Sequence, residues 1–129
     1  MVDSRQNELI GDLSEVDVDI IGCGMHGSWS ALAIARMGVR SIRLWDNDQV
    51  GEENLETQCY RPIDVGKSKT NSLALLIRQM GYRGEVLQKG RFERSRNEAL
   101  YPVVLCCADS MTTRQEVAEA SLLNNVKLF

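Results

Sequence analysis

The sequence is short of the patterns that mark a disulfide framework, a signal peptide or a membrane span. Its 129 residues include one histidine, His26, and two prolines. The four cysteines, Cys23, Cys59, Cys106 and Cys107, form no Cys-x-x-Cys pair and no metal-like spacing with His26. They read as free thiols used as small apolar residues in a reducing cytosol, in preference to a disulfide or zinc framework. No apolar run approaches the roughly 20 residues that span a bilayer. Residues 1–6 have no apolar signal-peptide core. A net charge of −3 and a pI of about 5.2 give no reason to expect nucleic acid or an anionic membrane as partner. Repeats and low-complexity stretches are absent too. The expectation is a cytoplasmic protein that meets neither membrane nor nucleic acid.

What is present suits a soluble α/β domain. The apolar fraction is 43% and the charged fraction 26%, in a length that supports one core rather than two. The expected division is an N-terminal segment, 1–15, and one domain, 16–129. Val16–Ile21 alternates and then ends in two apolar residues, a strand entering a turn. Helix formers run from Ser28 to Met37 and stop at Gly38. Ser41–Trp45 is a second strand, completing a βαβ unit. Residues 49–65 read as a long loop with a helical turn near Glu52–Leu55. A helix is expected over Lys67–Met80, carrying Leu73, Leu75, Leu76 and Ile77. A strand at Glu85–Gln88 and a brief helix at Ser95–Leu100 follow. Pro102–Cys107 is apolar enough for the centre of a parallel sheet. A helix over Thr112–Leu123 and a strand at Val126–Phe129 end the chain. The predicted fold is α/β, Rossmann-like and doubly wound, mainly parallel, with helices on both faces and about five strands. Because the fifth strand has only begun at Phe129, the expectation is a fragment of a longer protein.

The chemistry gathers around Gly22-Cys23-Gly24-Met25-His26-Gly27. Gly22 allows the turn off the strand, Gly24 lets backbone approach a phosphate, and Gly27 permits close helix packing. Amides opening the following helix suit an anion. His26 is expected to face solvent or phosphate, and Met25 to pack. Asp46 closes the second strand, where a carboxylate can accept ribose hydroxyls. Asp48 is a weaker candidate two residues on. Lys67 and Lys69 follow Gly66 at a helix start, where positive charge opposes the helix dipole unless an anion binds. Asp109 follows the apolar fourth strand, at the sheet edge where ligands bind, and one carboxylate there suits Mg²⁺ beside phosphate oxygens. As an alternative, Asp109 caps the last helix.

These stretches, GCGMHGS (22–28), GVRSIRLWDNDQV (38–50), NLETQ (54–58), VGKSK (65–69) and DSMTTR (109–114), together resemble ubiquitin-activating enzymes and their ThiF-type and MoeB-type adenylyltransferase relatives. The resemblance covers residues 16–115. It implies an enzyme that binds ATP and Mg²⁺ and adenylates the C-terminal carboxylate of a ubiquitin-like or sulfur-carrier protein ending in glycine, commonly as a homodimer. It assigns the phosphate loop to Gly22, Gly24 and Gly27 and the ribose to Asp46. Asn54 and Gln58 fall on the phosphate side. Catalytic roles go to Lys69, to Asp109 as Mg²⁺ ligand, and to Arg5, which would reach the partner protomer's ATP. Arg114 is read as support.

Two departures bear on activity. Family members carry an arginine where Thr57 stands, and Arg61 is the nearby candidate substitute. They also carry a further glycine at Met25. Zinc-binding cysteine pairs and an acceptor cysteine, where relatives have them, would lie beyond Phe129. Two other readings stay open: an NAD- or FAD-binding domain of an oxidoreductase, which leaves the 54–58 segment and the lysines unexplained, and a non-catalytic relative that recruits a partner.

Overall fold

A computed structural model describes residues 12–94, 98–124 and 126–129. Arg5 and most of the expected N-terminal segment lie outside them, as do residues 95–97 of the brief helix expected over Ser95–Leu100; residues 98–100 are irregular.

Strands β1 (Asp17–Ile21), β2 (Ser41–Trp45), β3 (Glu85–Lys89), β4 (Val103–Cys106) and β5 (Lys127–Leu128) form one sheet in the order β3-β2-β1-β4-β5, with every pairing parallel. Helices α1 (Met25–Arg36), α2 (Lys69–Gln79) and α3 (Met111–Asn124) cover it. Strand order reverses at β1, so the edge beyond β1 and β4 is the switch point where such sheets bind ligands. The expected Rossmann-like, doubly wound class is observed.

Side chains alternate between the faces of each strand. Val18, Ile20, Ile42, Leu44 and Val86 pack against Ala31 and Ala35 of α1 and Leu73, Ala74 and Ile77 of α2. Leu75, expected among the apolar residues of that helix, is exposed. The other face joins Ile21, Trp45 and Val104 to Phe92, Leu100, Val117 and Ala120. Of β4 only Val104 is fully buried, although the strand is apolar. The enclosed strand is β2, buried throughout despite Ser41 and Arg43.

Two boundaries move for identifiable reasons. Helix α1 starts at Met25, three residues before the expected Ser28, because the Ser28 amide already bonds to the Gly24 carbonyl at 2.9 Å. Helix α2 starts at Lys69 rather than Lys67, because Ser68 takes the cap and accepts from the Asn71 amide at 3.0 Å. Lys67 therefore precedes the helix, behind Gly66 at φ +87°.

The long loop is built, not slack. Short 3₁₀ turns occupy Glu52–Asn54 and Pro62–Asp64, and the Tyr60 hydroxyl donates to the Cys23 carbonyl at 2.6 Å. Asp64 is buried. Burial alone would raise its carboxyl pKa, but bonds from the Arg61 side chain and amide hold it below the usual carboxylate range. A depressed folded pKa contributes stability above the unfolded value of about 3.9, lost as pH falls through the folded one. Stability should therefore hold at neutral pH and decline from about pH 4 downward. In Asp64→Asn, denaturant melts should show a flatter acid limb and about 1–3 kcal/mol less stability at pH 7.

Candidate functional site

The carboxyl ends of β1, β2 and β4 open into a cavity of about 540 Å³, lined by Gly22, Gly24, Asp46, Asp48, Gln58, Lys69 and Asp109 among others. Segments separated by up to 91 positions in sequence, Gly22 to Thr113, thus meet at one rim. That volume lies within the usual range for small-molecule sites.

The glycines divide by task. Gly22 has φ +96°, and a Cβ there would stand 2.8 Å from the Cys107 carbonyl and the Ala108 amide nitrogen. A Cβ on Gly27 would overlap the Gly22 carbonyl oxygen, so Gly27 seats α1 against the turn and does not itself line the cavity. Gly24 faces open space, its nearest neighbour being Gln58 Nε2 at 3.8 Å from a would-be Cβ. Helix α1 has no side-chain cap and no acidic residue in its first turn. Its opening amides are therefore available to an anion.

Asp46 ties strand end to glycine turn. One carboxylate oxygen accepts from the Cys23 amide and the other from the Asp48 amide, both at 2.8 Å. Each oxygen keeps a second acceptor position. Lys69 is only 7% exposed although charged, and its Nζ lies 4.0 Å from the exposed Asp48 carboxylate. Gln58 Oε1 is buried with no hydrogen-bond partner among the described residues. An incoming donor would satisfy it.

Asp109 is exposed on the cavity wall. It is not the cap of α3: Ser110 Oγ takes that place, accepting from the Thr113 amide at 3.3 Å. Arg114 Nε donates to the Ala108 carbonyl at 2.6 Å and supports the turn.

Other expected residues fall elsewhere. Asn54 does not line the cavity; its Oδ1 accepts from the Gly51 amide at 2.8 Å and closes the 3₁₀ turn. Arg61 is turned away as well, its guanidinium held by Asp64 and by Gln79 Oε1 at 2.9 Å, so it does not stand in at Thr57. The Thr57 carbonyl instead accepts from Trp29 Nε1 at 2.8 Å. Met25, expected to pack, is 48% exposed and lines the cavity beside the exposed His26. Arg91 and Phe92 also line it and were not anticipated. Their signal was their place just past the end of β3, where a parallel sheet presents ligand contacts.

The nearby cysteines are not poised as nucleophiles. Burial pushes the Cys23 thiol well up, and burial also raises Cys107. No group of three or more His, Cys, Asp or Glu side chains is arranged to hold a metal ion by itself among the described residues. A single carboxylate at Asp109 suits a cation that takes its remaining ligands from phosphate and water.

Sheet order, glycine turn and strand-end carboxylates define a Rossmann-like α/β domain with its cavity at the switch point. Residues 3–129 match the ThiF family model, and the chain belongs to the ThiF family. It is 33% identical over 122 residues to the sulfur carrier protein ThiS adenylyltransferase of Escherichia coli, covering 91% of this chain and 49% of that protein. Identity to the adenylyltransferase and sulfurtransferase uba4 of Aspergillus terreus is 30% over 119 residues, 86% of this chain and 24% of that one. The chain thus spans about half of one relative and about a quarter of the other. The E. coli tRNA N6-threonylcarbamoyladenosine dehydratase TcdA, solved in complex with ATP, superposes with a TM-score of 0.87 at 25% identity, over 96% of this chain and 56% of that one.

Proposed function

We propose that this chain is the nucleotide-binding part of an ATP- and Mg²⁺-dependent adenylyltransferase. Its substrate would be the C-terminal carboxylate of a ubiquitin-like or sulfur-carrier protein ending in glycine. The observation that carries the reading is the convergence of the glycine turn, Asp46, Gln58, Lys69 and Asp109 on one cavity.

The residues fit the nucleotide. Unpartnered amides at the start of α1 and the Lys69 ammonium suit phosphate, and the open face of Gly24 leaves backbone in reach of it. Asp46 suits ribose hydroxyls, and Gln58 Oε1 awaits a donor. Asp109 would hold Mg²⁺, whose chemistry is to neutralise phosphate charge. In the reaction, a carboxylate oxygen bonds to the α-phosphorus and the bond to pyrophosphate breaks. Pyrophosphate leaves with its electron pair, and the carboxylate becomes an AMP anhydride. The protein's part is alignment and charge neutralisation. Lys69 supplies the buried cation, and Arg91 places a further one on the wall. The working form is proposed to be a homodimer, with Arg5 directed to the partner's nucleotide.

Lys69→Met should lower ATP affinity by roughly ten- to a hundredfold in calorimetry, equivalent to about 1.4–2.8 kcal/mol. The activity itself is tested by ATP–pyrophosphate exchange with a carrier protein ending in Gly-Gly. Exchange requiring Mg²⁺ and carrier is expected. Thermal stabilisation by NADH and not by ATP would replace the reading with a dinucleotide-binding oxidoreductase domain. Thr57 and the averted Arg61 favour one further alternative, a non-catalytic recruiter, which would bind carrier without exchange.

A further inference from the structure

At the middle of the sheet, beneath the cavity wall, lies a charged pair the proposed chemistry does not use. Asp19 on β1 is 0% exposed and Arg43 on β2 is 6% exposed. They form a bidentate pair, Arg43 Nε to Asp19 Oδ1 and Arg43 Nη2 to Asp19 Oδ2, each at 2.6 Å. Neither residue lines the cavity.

A buried ion pair is weak evidence of stabilisation, since apolar residues of similar volume do as well or better. Its bonds here reach one cavity-lining residue, Trp45, and the 98–101 segment behind it. Asp19 Oδ1 also accepts from Trp45 Nε1 at 2.7 Å, and Asp19 Oδ2 from the Tyr101 amide at 2.6 Å. Arg43 donates to the Ala99 carbonyl at 2.9 Å and to Glu98 Oε1 at 3.3 Å, and lies 3.8 Å over the Tyr101 ring. Lys89, at the end of β3, pairs with Glu98 at 2.8 Å. The connection leaving β3 is thereby held at both ends. Trp45 meets Phe92 edge to face at 5.3 Å between centroids, and both residues line the cavity.

Position along the rim says which part of a nucleotide this wall meets. Arg91 and Phe92 follow β3, Asp46 follows β2, the glycine turn follows β1, and Asp109 follows β4, in that spatial order. If Asp46 takes the ribose and the glycine turn the phosphates, the base extends toward β3. We propose that Asp19 and Arg43 are positioning residues for the nucleobase end of the site. They fix the Trp45 indole through its N–H, and they fix Phe92 through Trp45 and the 98–101 segment. The inference rests on the nucleotide reading above.

The test separates base from phosphate. The variant D19L/R43M removes both charges without leaving one unpaired, and Trp45→Phe keeps an aromatic ring, though a smaller one, while removing the N–H to Asp19. For each, calorimetric affinities for Mg·ATP and for tripolyphosphate are compared with the unmodified chain, with circular dichroism reporting the fold. The expected result is a loss of about tenfold or more for ATP with tripolyphosphate affinity unchanged, a split that general loosening would not produce. Should the double variant fail to fold, Trp45→Phe decides alone. Parallel losses for both ligands, or no loss for either, would overturn the positioning role while leaving the nucleotide site standing. An unmodified chain that binds neither ligand would overturn the functional reading itself, and this inference with it.

Discussion

Asp109→Ala is expected to abolish carrier-dependent ATP–pyrophosphate exchange, by a factor on the order of 10³ or more, while leaving the melting temperature nearly unchanged. Negative charge grows on the leaving pyrophosphate as its bond to the α-phosphorus breaks, and a cation held at that point lowers the barrier most there. In the proposed reading, Asp109 on the cavity wall is the carboxylate that would hold it. The small effect on stability follows from its exposure and from Ser110 holding the α3 cap. Ser110→Ala is the control, with the converse outcome: about 1 kcal/mol of stability lost and exchange retained. Exchange assays and thermal melts on the two variants check this directly. Loss of stability rather than exchange in Asp109→Ala would make it a structural residue.

The second large effect comes from the glycine turn, where two substitutions of equal size should fail differently. Gly27→Ala puts a methyl into the Gly22 carbonyl, a backbone atom that cannot rotate aside. The cost should exceed about 4 kcal/mol, with a melting temperature lower by on the order of 15 °C or no folded protein at all. Gly24→Ala meets nothing nearer than Gln58 Nε2 at 3.8 Å and should fold normally. Its methyl would occupy the approach to the turn, so ATP affinity should drop about tenfold or more. Melts and calorimetry on the pair distinguish the packing glycine from the binding one. Similar stabilities for the two variants would contradict the division.

The sequence disclosed elements whose signals are local. Ser41–Trp45 appears with its expected ends, because a short run carrying Ile42, Leu44 and Trp45 is bounded by Gly38 on one side and by Asp46 and Asp48 on the other. The glycine turn, Asp46, Lys69 and Asp109 could be located because each sits where a strand ends or a helix begins. Side-chain partners were harder to read. Asn54 and Arg61 carry suitable groups for phosphate, yet each finds a nearer partner, Gly51 three residues back and Asp64 three residues on. Short-range capping competes with any ligand, and a motif does not reveal which prevails. Asp19 was hidden for the opposite reason. Its partner Arg43 lies 24 positions away, and only sheet register brings the two side by side. The alternation of Val16–Ile21 gives no hint that the charged position is sealed. Arg91 and Phe92 carry no local motif, because their significance depends on β3 lying next to β2.

If chain segments remote in sequence form one nucleotide site, backbone amide shifts during a titration with Mg·ATP should map it. One saturable set of shifts is expected at residues 22–27, 46–48, 58, 69 and 109, with Arg91 and Phe92 joining for ATP and not for tripolyphosphate. Shifts confined to another face of the sheet, or none at millimolar ATP, would contradict it.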